Sequence, residues 1–200
     1  MKDTALLILG AGSSSRMGEP KLLLDINGSP LIRVVIDQLR SDQYDMYVVT
    51  GAYRERIQIC LVGFDFEEIY NPSWEIGMGS SISEGVKKII EKGFYKSVVI
   101  VAADQIMINC NHISDLLKIW NRHPRCIISA QYGRVRGIPA LFPESFFDQL
   151  IELSGDVGAR KIINQNKERA IFYNLDEAQW DIDTMDEYQS FIKGIFHENN

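Results

Sequence analysis

The sequence predicts an α/β protein in which a mostly parallel sheet lies between two helical layers, and two observations carry that reading. Short, almost wholly apolar runs rich in branched residues recur along the chain, as strands covered on both faces should look. Segments with apolar residues at helical spacing alternate with them, and no repeat or low-complexity linker intervenes. Alternation of this kind builds right-handed βαβ units, whose ligands bind at the C-terminal ends of the strands.

Taken in order, the first strand is Ala5-Leu9, and Leu31, Val34, Val35 and Leu39 mark the first helix. Met46-Val49 and Phe66-Tyr70 follow as strands. Met78, Ile82, Val86, Ile89 and Ile90 define a helix that starts near Gly79-Ser80-Ser81. Ser97-Val101 is the next strand, and Ile113, Leu116, Leu117 and Trp120 line one face of the helix after it. Cys126-Ile128 reads as another parallel strand, and Ile138-Phe142 reads as a strand. Glu144-Leu153 and Val157-Ile163 have helical character, and Tyr188, Phe191, Ile192, Ile195 and Phe196 give a closing amphipathic helix. No boundary divides the chain, so residues 1–200 are expected to form one domain.

Composition narrows the partners. Subtracting 27 acidic from 21 basic residues gives a net charge of −6, which excludes an extended basic surface for nucleic acid and still allows a local cationic pocket. The cysteines Cys60, Cys110 and Cys126 lie far apart without CxxC spacing, so neither a disulfide framework nor a thiolate zinc site is suggested. The first apolar run is too short for a secretory signal, and no stretch reaches the ~20 apolar residues that span a bilayer. A cytoplasmic protein without a membrane partner is expected.

Strand one runs into Leu9-Gly10-Ala11-Gly12-Ser13-Ser14-Ser15-Arg16-Met17-Gly18-Glu19-Pro20-Lys21, a loop of small residues containing two fixed cations. Small residues let backbone N–H groups approach an anion closely, and Arg16 and Lys21 add charge-assisted contacts, so phosphate is the natural guest. The plainer reading is a tight strand-to-helix turn with solvated cations. A Walker A loop fails, because Lys21 is followed by Leu22 and not by a hydroxyl for Mg²⁺. A dinucleotide fingerprint fails too: Ser15 stands where the third glycine belongs, and the second strand ends in Thr50-Gly51 without an acid.

The loop resembles the signature G-x-G/S-x-R-M-G-x-x-K of the MobA-like nucleotidyltransferases. Asn71-Pro72-Ser73-Trp74-Glu75-Ile76-Gly77-Met78-Gly79-Ser80-Ser81, Gly137-Ile138-Pro139, Gly155-Asp156-Val157-Gly158-Ala159-Arg160 and Asp181-Ile182-Asp183-Thr184 resemble the later motifs of one branch, the molybdenum cofactor cytidylyltransferases. Two positions depart from the pattern: Ile106 where a proline commonly follows the acidic strand end, and Ile138 where a histidine is often found. The resemblance implies a Rossmann-like three-layer sandwich of the nucleotide-diphospho-sugar transferase type, with its first half binding a nucleoside triphosphate and its second half the acceptor. It further implies that Leu9, Gly10, Ala11, Gly12, Asn71, Gly79, Ser80 and Ser81 face the nucleotide. Arg16, Lys21 and Asp104 would then be the catalytic residues.

The carboxylates can also be read directly. Asp104 sits just past the end of the apolar strand Ser97-Val101, on the edge where the Gly-rich loop should lie, and is the best metal candidate. Asp181 and Asp183 are two apart and share one face of an extended segment, which could complete an oxygen site for Mg²⁺. Capping of the final helix by Asp183-Thr184 is the competing reading. The resemblance favours Asp104 and Asp183 as ligands of Mg²⁺, with Asp181 as support. His112, His123 and His197 lack any metal spacing, and the serine runs lack a nucleophile elbow.

The implied reaction moves CMP from CTP to the phosphate of molybdenum-bearing molybdopterin and releases pyrophosphate, with a molybdenum hydroxylase apoenzyme as a protein partner. An acceptor phosphate is already ionised, so no general base is required, and a missing triad is expected. Two alternatives stay open: a transferase acting on a sugar phosphate or other small phosphorylated acceptor, and a non-catalytic nucleotide-binding chaperone of a molybdenum enzyme.

Overall fold

The computed structural model of the 200-residue chain describes residues 2–14, 19–180, 182, 184–192 and 194. In chain order the elements are β1 (Thr4–Gly10), β2 (Asp25–Ile26), β3 (Ser29–Pro30), α1 (Leu31–Gln38), β4 (Asp45–Thr50), α2 (Arg54–Cys60) and β5 (Glu67–Tyr70). They continue with α3 (Met78–Lys92), β6 (Ser97–Ala102), α4 (Cys110–Arg122), β7 (Ile127–Tyr132), β8 (Val135–Pro143), α5 (Phe147–Ile151), α6 (Arg160–Gln165), β9 (Ala170–Asn174) and α7 (Met185–Ile192).

Seven strands form the central sheet in the order β5-β4-β1-β6-β8-β7-β9. The pairs β5·β4, β4·β1, β1·β6 and β7·β9 are parallel. The Ile138–Phe142 run, expected as a strand, lies in β8, which is antiparallel to both β6 and β7. The reason is local: β7 and β8 are joined by a tight hairpin at Gly133 (φ +55°) and Arg134, and a hairpin of that length can only reverse the chain. The sheet remains mostly parallel.

Alternation along the strands supplies the two core layers. Leu6 and Ile8 of β1 join Val48, Val99 and Val101 beneath α1, α2 and α4, where Leu31, Val35, Ile57, Ile113 and Leu116 are buried. Ala5 and Leu7 point the other way and join Val49, Val98 and Ile100 beneath α3, α5 and α6, against Ile82, Val86, Phe146, Leu150 and Ile163. Each such aliphatic side chain contributes about 1.5–3 kcal/mol on full burial, so both faces of the sheet are firmly held. No helix among the described residues is long and apolar enough to cross a membrane.

Several elements differ from the sequence expectation. The α2 helix buries only Ile57, so it lacks the apolar stripe that would announce it. The strand β9 is half-buried at the sheet edge. The sequence predicts one helix over Val157–Ile163, but α6 begins at Arg160 because residues 154–158 form a loop with Gly155 at φ +67°. The closing helix is described over Met185–Ile192, and the expected Ile195 and Phe196 lie outside the described residues. His112 serves the scaffold. Its Nδ1 accepts from the Asn109 N–H, and the Asn109 side chain accepts from the N–H groups of Asn111 and His112, a reciprocal cap on α4.

Candidate active site

Parallel strands ending side by side leave their C-terminal loops on one edge of the sheet, and there a cleft of about 730 Å³ opens. Leu9, Gly10, Ala11, Gly12, Ser13 and Ser14, the turn after β1, form one wall. The loop is fastened to its neighbours by its carbonyls. Leu9 O accepts from Ala103 N–H and Ala11 O from Ala52 N–H, both at 3.0 Å, and Ser13 O accepts from the Tyr53 hydroxyl at 3.1 Å. Acceptors spent on the scaffold no longer repel an anion, which makes the wall better suited to phosphate.

Lys21 follows Pro20 in a short helical turn, and its side chain reaches across to Asp104, just beyond β6. Lys21 Nζ donates to Asp104 Oδ2 at 2.6 Å, with side-chain exposures of 11% and 22%. Both residues line the cleft. A fixed cation beside a fixed carboxylate in a partly dry site can receive a phosphate on one side and a divalent cation on the other.

The turn holding Asp104 is braced by Gln105, a buried amide that sequence reasoning missed. Its Oε1 accepts from Ala102 N–H at 3.2 Å, and its Nε2 donates to the carbonyls of Ile138 and Ala178 at 3.1 Å. Ile106 is 2% exposed and packs in the core, and its N–H donates to Asp104 O. The adjacency of Gln105 to Asp104 was the available signal.

Asn71, expected to face the nucleotide, is fully buried and does not line the cleft. Its Nδ2 donates to Ser80 Oγ at 2.9 Å and Ser81 Oγ at 3.0 Å, while its Oδ1 accepts from Ser73 N–H. Ser81 lines the cleft, and because its oxygen accepts from Asn71 its own O–H remains a donor. Ser80 Oγ is turned to the carbonyls of Ser73 and Gly77.

Gly79 explains why two distant motifs occur together. Its N–H donates to Gly155 O at 2.9 Å, and a Cβ on it would stand 2.7 Å from Ser154 N and 2.8 Å from Val157 O. Gly77 (φ +119°) is as tightly placed, with a Cβ 2.5 Å from the Gly155 carbonyl. The start of α3 and the 154–158 loop therefore interlock, and that junction carries Trp74, Asp156 and Arg160 into the cleft wall. The far wall is Tyr132, Val135, Arg136, Gly137 and Ile138 of the β7–β8 hairpin, with Gln179 beside it.

Arg16, Asp181 and Asp183 lie outside the described residues. Among the described residues no group of three or more His, Cys, Asp and Glu could hold a metal ion. Of the sequence-predicted ligands, Asp104 is the one that the described residues place in the cleft. Its carboxylate fits Mg²⁺, an ion commonly held by one or two carboxylates and otherwise by water and substrate phosphate.

A phosphate-suited loop and a Lys–Asp pair at the C-terminal edge of a mostly parallel sheet define a nucleotide-handling α/β enzyme. The model of the MobA-like NTP transferase domain matches residues 6–170, and the chain belongs to that family of nucleotidyltransferases. The purine catabolism protein PucB of Bacillus subtilis (strain 168) is 26% identical over 194 residues, 91% of this chain and 92% of that protein. Among solved structures, the homologue of Mycobacterium tuberculosis Rv0371c from Mycobacterium sp. strain JC1 superposes with a TM-score of 0.80 at 18% identity, covering 98% and 99% of the two chains. The molybdopterin-guanine dinucleotide biosynthesis protein A of Archaeoglobus fulgidus gives a TM-score of 0.71 at 16% identity, over 97% and 99%. At these identities the two structures establish the fold: an α/β sheet of the nucleotide-diphospho-sugar transferase type.

Proposed function

We propose that the protein transfers CMP from CTP to the phosphate of molybdenum-bearing molybdopterin, with release of pyrophosphate. The observation that carries the reading is the meeting of the Gly10–Ser14 wall, the Lys21–Asp104 pair and Ser81 in one cleft. In this transfer an oxygen of the acceptor phosphate forms the new P–O bond at the α-phosphorus as the bond to pyrophosphate breaks. The nucleophile is already deprotonated, so what remains for the protein is alignment and charge neutralisation. Loop amides and Lys21 hold the triphosphate, with Arg16 as a second cation. Gln105 fixes the turn on which Asp104 sits. Asp104, with Asp183 as a second ligand, would hold Mg²⁺, which when bound withdraws charge from the phosphates and the departing pyrophosphate.

Base preference is assigned to the α3 start. Ser81, oriented by Asn71, offers a hydroxyl donor at the cleft wall, and cytosine presents acceptors at O2 and N3. The family resemblance of the Asn71–Ser81 and Gly155–Arg160 segments is what favours the molybdopterin acceptor over other phosphates. A molybdenum hydroxylase apoenzyme would then receive the product.

The test is pyrophosphate release by the purified protein with Mg²⁺, each of CTP, GTP, ATP and UTP, and each of molybdopterin, a sugar phosphate and methylerythritol phosphate. Release with CTP and molybdopterin well above the other pairs is expected. Equal turnover of CTP and GTP, or preference for another acceptor, overturns the assignment.

A further inference from the structure

Beside the main cleft lies a second, smaller pocket of about 360 Å³ between the β7–β8 hairpin and α6. It is lined by Arg134, Arg136, Arg160 and Lys167, with Gln131, Gly133 and Asn164. Four cations and no carboxylate meet there in a chain whose net charge is −6. The ion pairs found among the described residues lie elsewhere on the molecule and use none of these four side chains. Like charges gathered without counter-charge repel one another, and an arriving anion relieves that repulsion.

One of the four is held in place. The Arg136 guanidinium stacks over the Phe172 ring, 4.0 Å from its centroid, and its Nε donates to Gln131 Oε1 at 3.2 Å. Stacking and the Nε bond fix its plane and leave the two terminal nitrogens to form a fork for an oxyanion. Arg136 and Arg160 also line the main cleft, so the two spaces share a wall and one ligand can occupy both.

We propose that this pocket is a specificity subsite for a second anionic group on the acceptor, separate from the phosphate that reacts; in molybdenum-bearing molybdopterin that group is the metal-bearing dithiolene. The inference rests on the acceptor lying against the β7–β8 hairpin, as in the function proposed above. It adds that the acceptor carries two anionic groups. An acceptor without a second anionic group leaves the four cations uncompensated and binds more weakly, so the pocket selects among phosphorylated compounds that the main cleft alone accepts equally.

The experiment has two arms. In the first, inorganic phosphate is titrated into the protein with the main cleft saturated by CTP and Mg²⁺. The titration is repeated on Arg134→Ala/Lys167→Ala, whose two positions do not line the main cleft. The phosphate Kd should rise about tenfold in that variant and return to within about twofold of the parent in Arg134→Lys/Lys167→Arg. Lys87→Ala/Lys88→Ala, which removes equal charge on the exposed side of α3, should leave it unchanged. In the second arm, the KM for molybdopterin should rise in the first variant in proportion to the phosphate Kd.

An unchanged phosphate Kd in Arg134→Ala/Lys167→Ala overturns the pocket as an anion site. A changed Kd with an unchanged acceptor KM overturns its assignment to the acceptor. Absence of any transfer to molybdopterin by the parent protein, with the phosphate result intact, would sink the proposed function and leave the anion site standing.

Discussion

Lys21 Nζ and Asp104 Oδ2, 83 residues apart in the chain, meet at 2.6 Å on the floor of the cleft. Neither side chain is fully dry, with 11% and 22% of their surfaces exposed, so the pair is accessible to a ligand yet shielded enough for its charges to matter. In the reaction proposed here both members change partner, Lys21 turning to phosphate and Asp104 to the divalent cation.

Lys21→Ala should therefore lower the maximal rate of pyrophosphate release by about 10²–10³, the usual consequence of removing a preorganised cation at developing charge. Asp104→Asn keeps the shape and removes the charge; its rate should fall comparably and cease to respond to Mg²⁺. Steady-state kinetics across a Mg²⁺ titration checks both. A Lys21→Ala enzyme with the parent's rate at saturating nucleotide contradicts the assignment.

Asn71 and Ser81 separate positioning from contact. Asn71→Ala leaves buried hydrogen-bonding groups unpaired and should cost about 1–3 kcal/mol of stability, with a raised KM for CTP as Ser81 loses its orientation. Ser81→Ala should raise that KM with little change in unfolding midpoint. Denaturant unfolding beside nucleotide kinetics distinguishes them, and a Ser81→Ala enzyme with unaltered KM removes Ser81 from base recognition.

Gly79→Ala forces a Cβ to within 2.8 Å of the Ser154–Val157 backbone. Backbone cannot rotate aside as a side-chain tip can, so a loss of about 1–3 kcal/mol is expected together with weakened nucleotide binding as the two loops part. Gly63→Ala is the natural comparison for a glycine with nothing near its Cβ; its φ of +90° strains any side chain, so it should lose stability without touching nucleotide affinity.

Glu68 gives a pH-dependent test of the scaffold. Burial pushes its carboxyl upward, but hydrogen bonds from Arg54, Thr50 and Gln58 outweigh that and hold it below its ordinary value of 4.5. With the folded value depressed, the contribution is complete above about pH 4.5 and fades as pH falls through the lower folded-state value. Glu68→Ala should cost about 1.5–3 kcal/mol at pH 7 and progressively less toward pH 3. Unfolding midpoints of parent and variant across that range test it; a constant difference contradicts the sign.

Much of this was legible before the structure because each signal was chemically forced. Strand β1 had to be a buried strand, since Ala5 to Ile8 offer no polar side chain to either face, and a small-residue loop with Lys21 after it had few readings. The place of Asp104 in the cleft wall is readable for the same reason, a carboxylate just past a buried and mostly apolar strand. What the sequence hid were relationships between distant segments. Gln105 looks like any loop amide until Ile138 and Ala178 are seen to take its hydrogens. Asn71, expected to face the nucleotide, shows its positioning role only once its amide is seen to donate to Ser80 and Ser81. The reversal of β8 depended on a hairpin whose turn residues, Gly133 and Arg134, follow a strand that reads as parallel.

The most direct measurement is single-turnover pyrophosphate release from Mg²⁺-CTP with molybdopterin, by the parent protein and by Asp104→Asn at equal, saturating nucleotide. Release of one pyrophosphate per active site, matched by one cytosine dinucleotide and reduced at least about a hundredfold in Asp104→Asn, is the predicted result. Equal release by the two proteins, or none by a parent protein that binds CTP, contradicts the claim that this cleft performs nucleotidyl transfer.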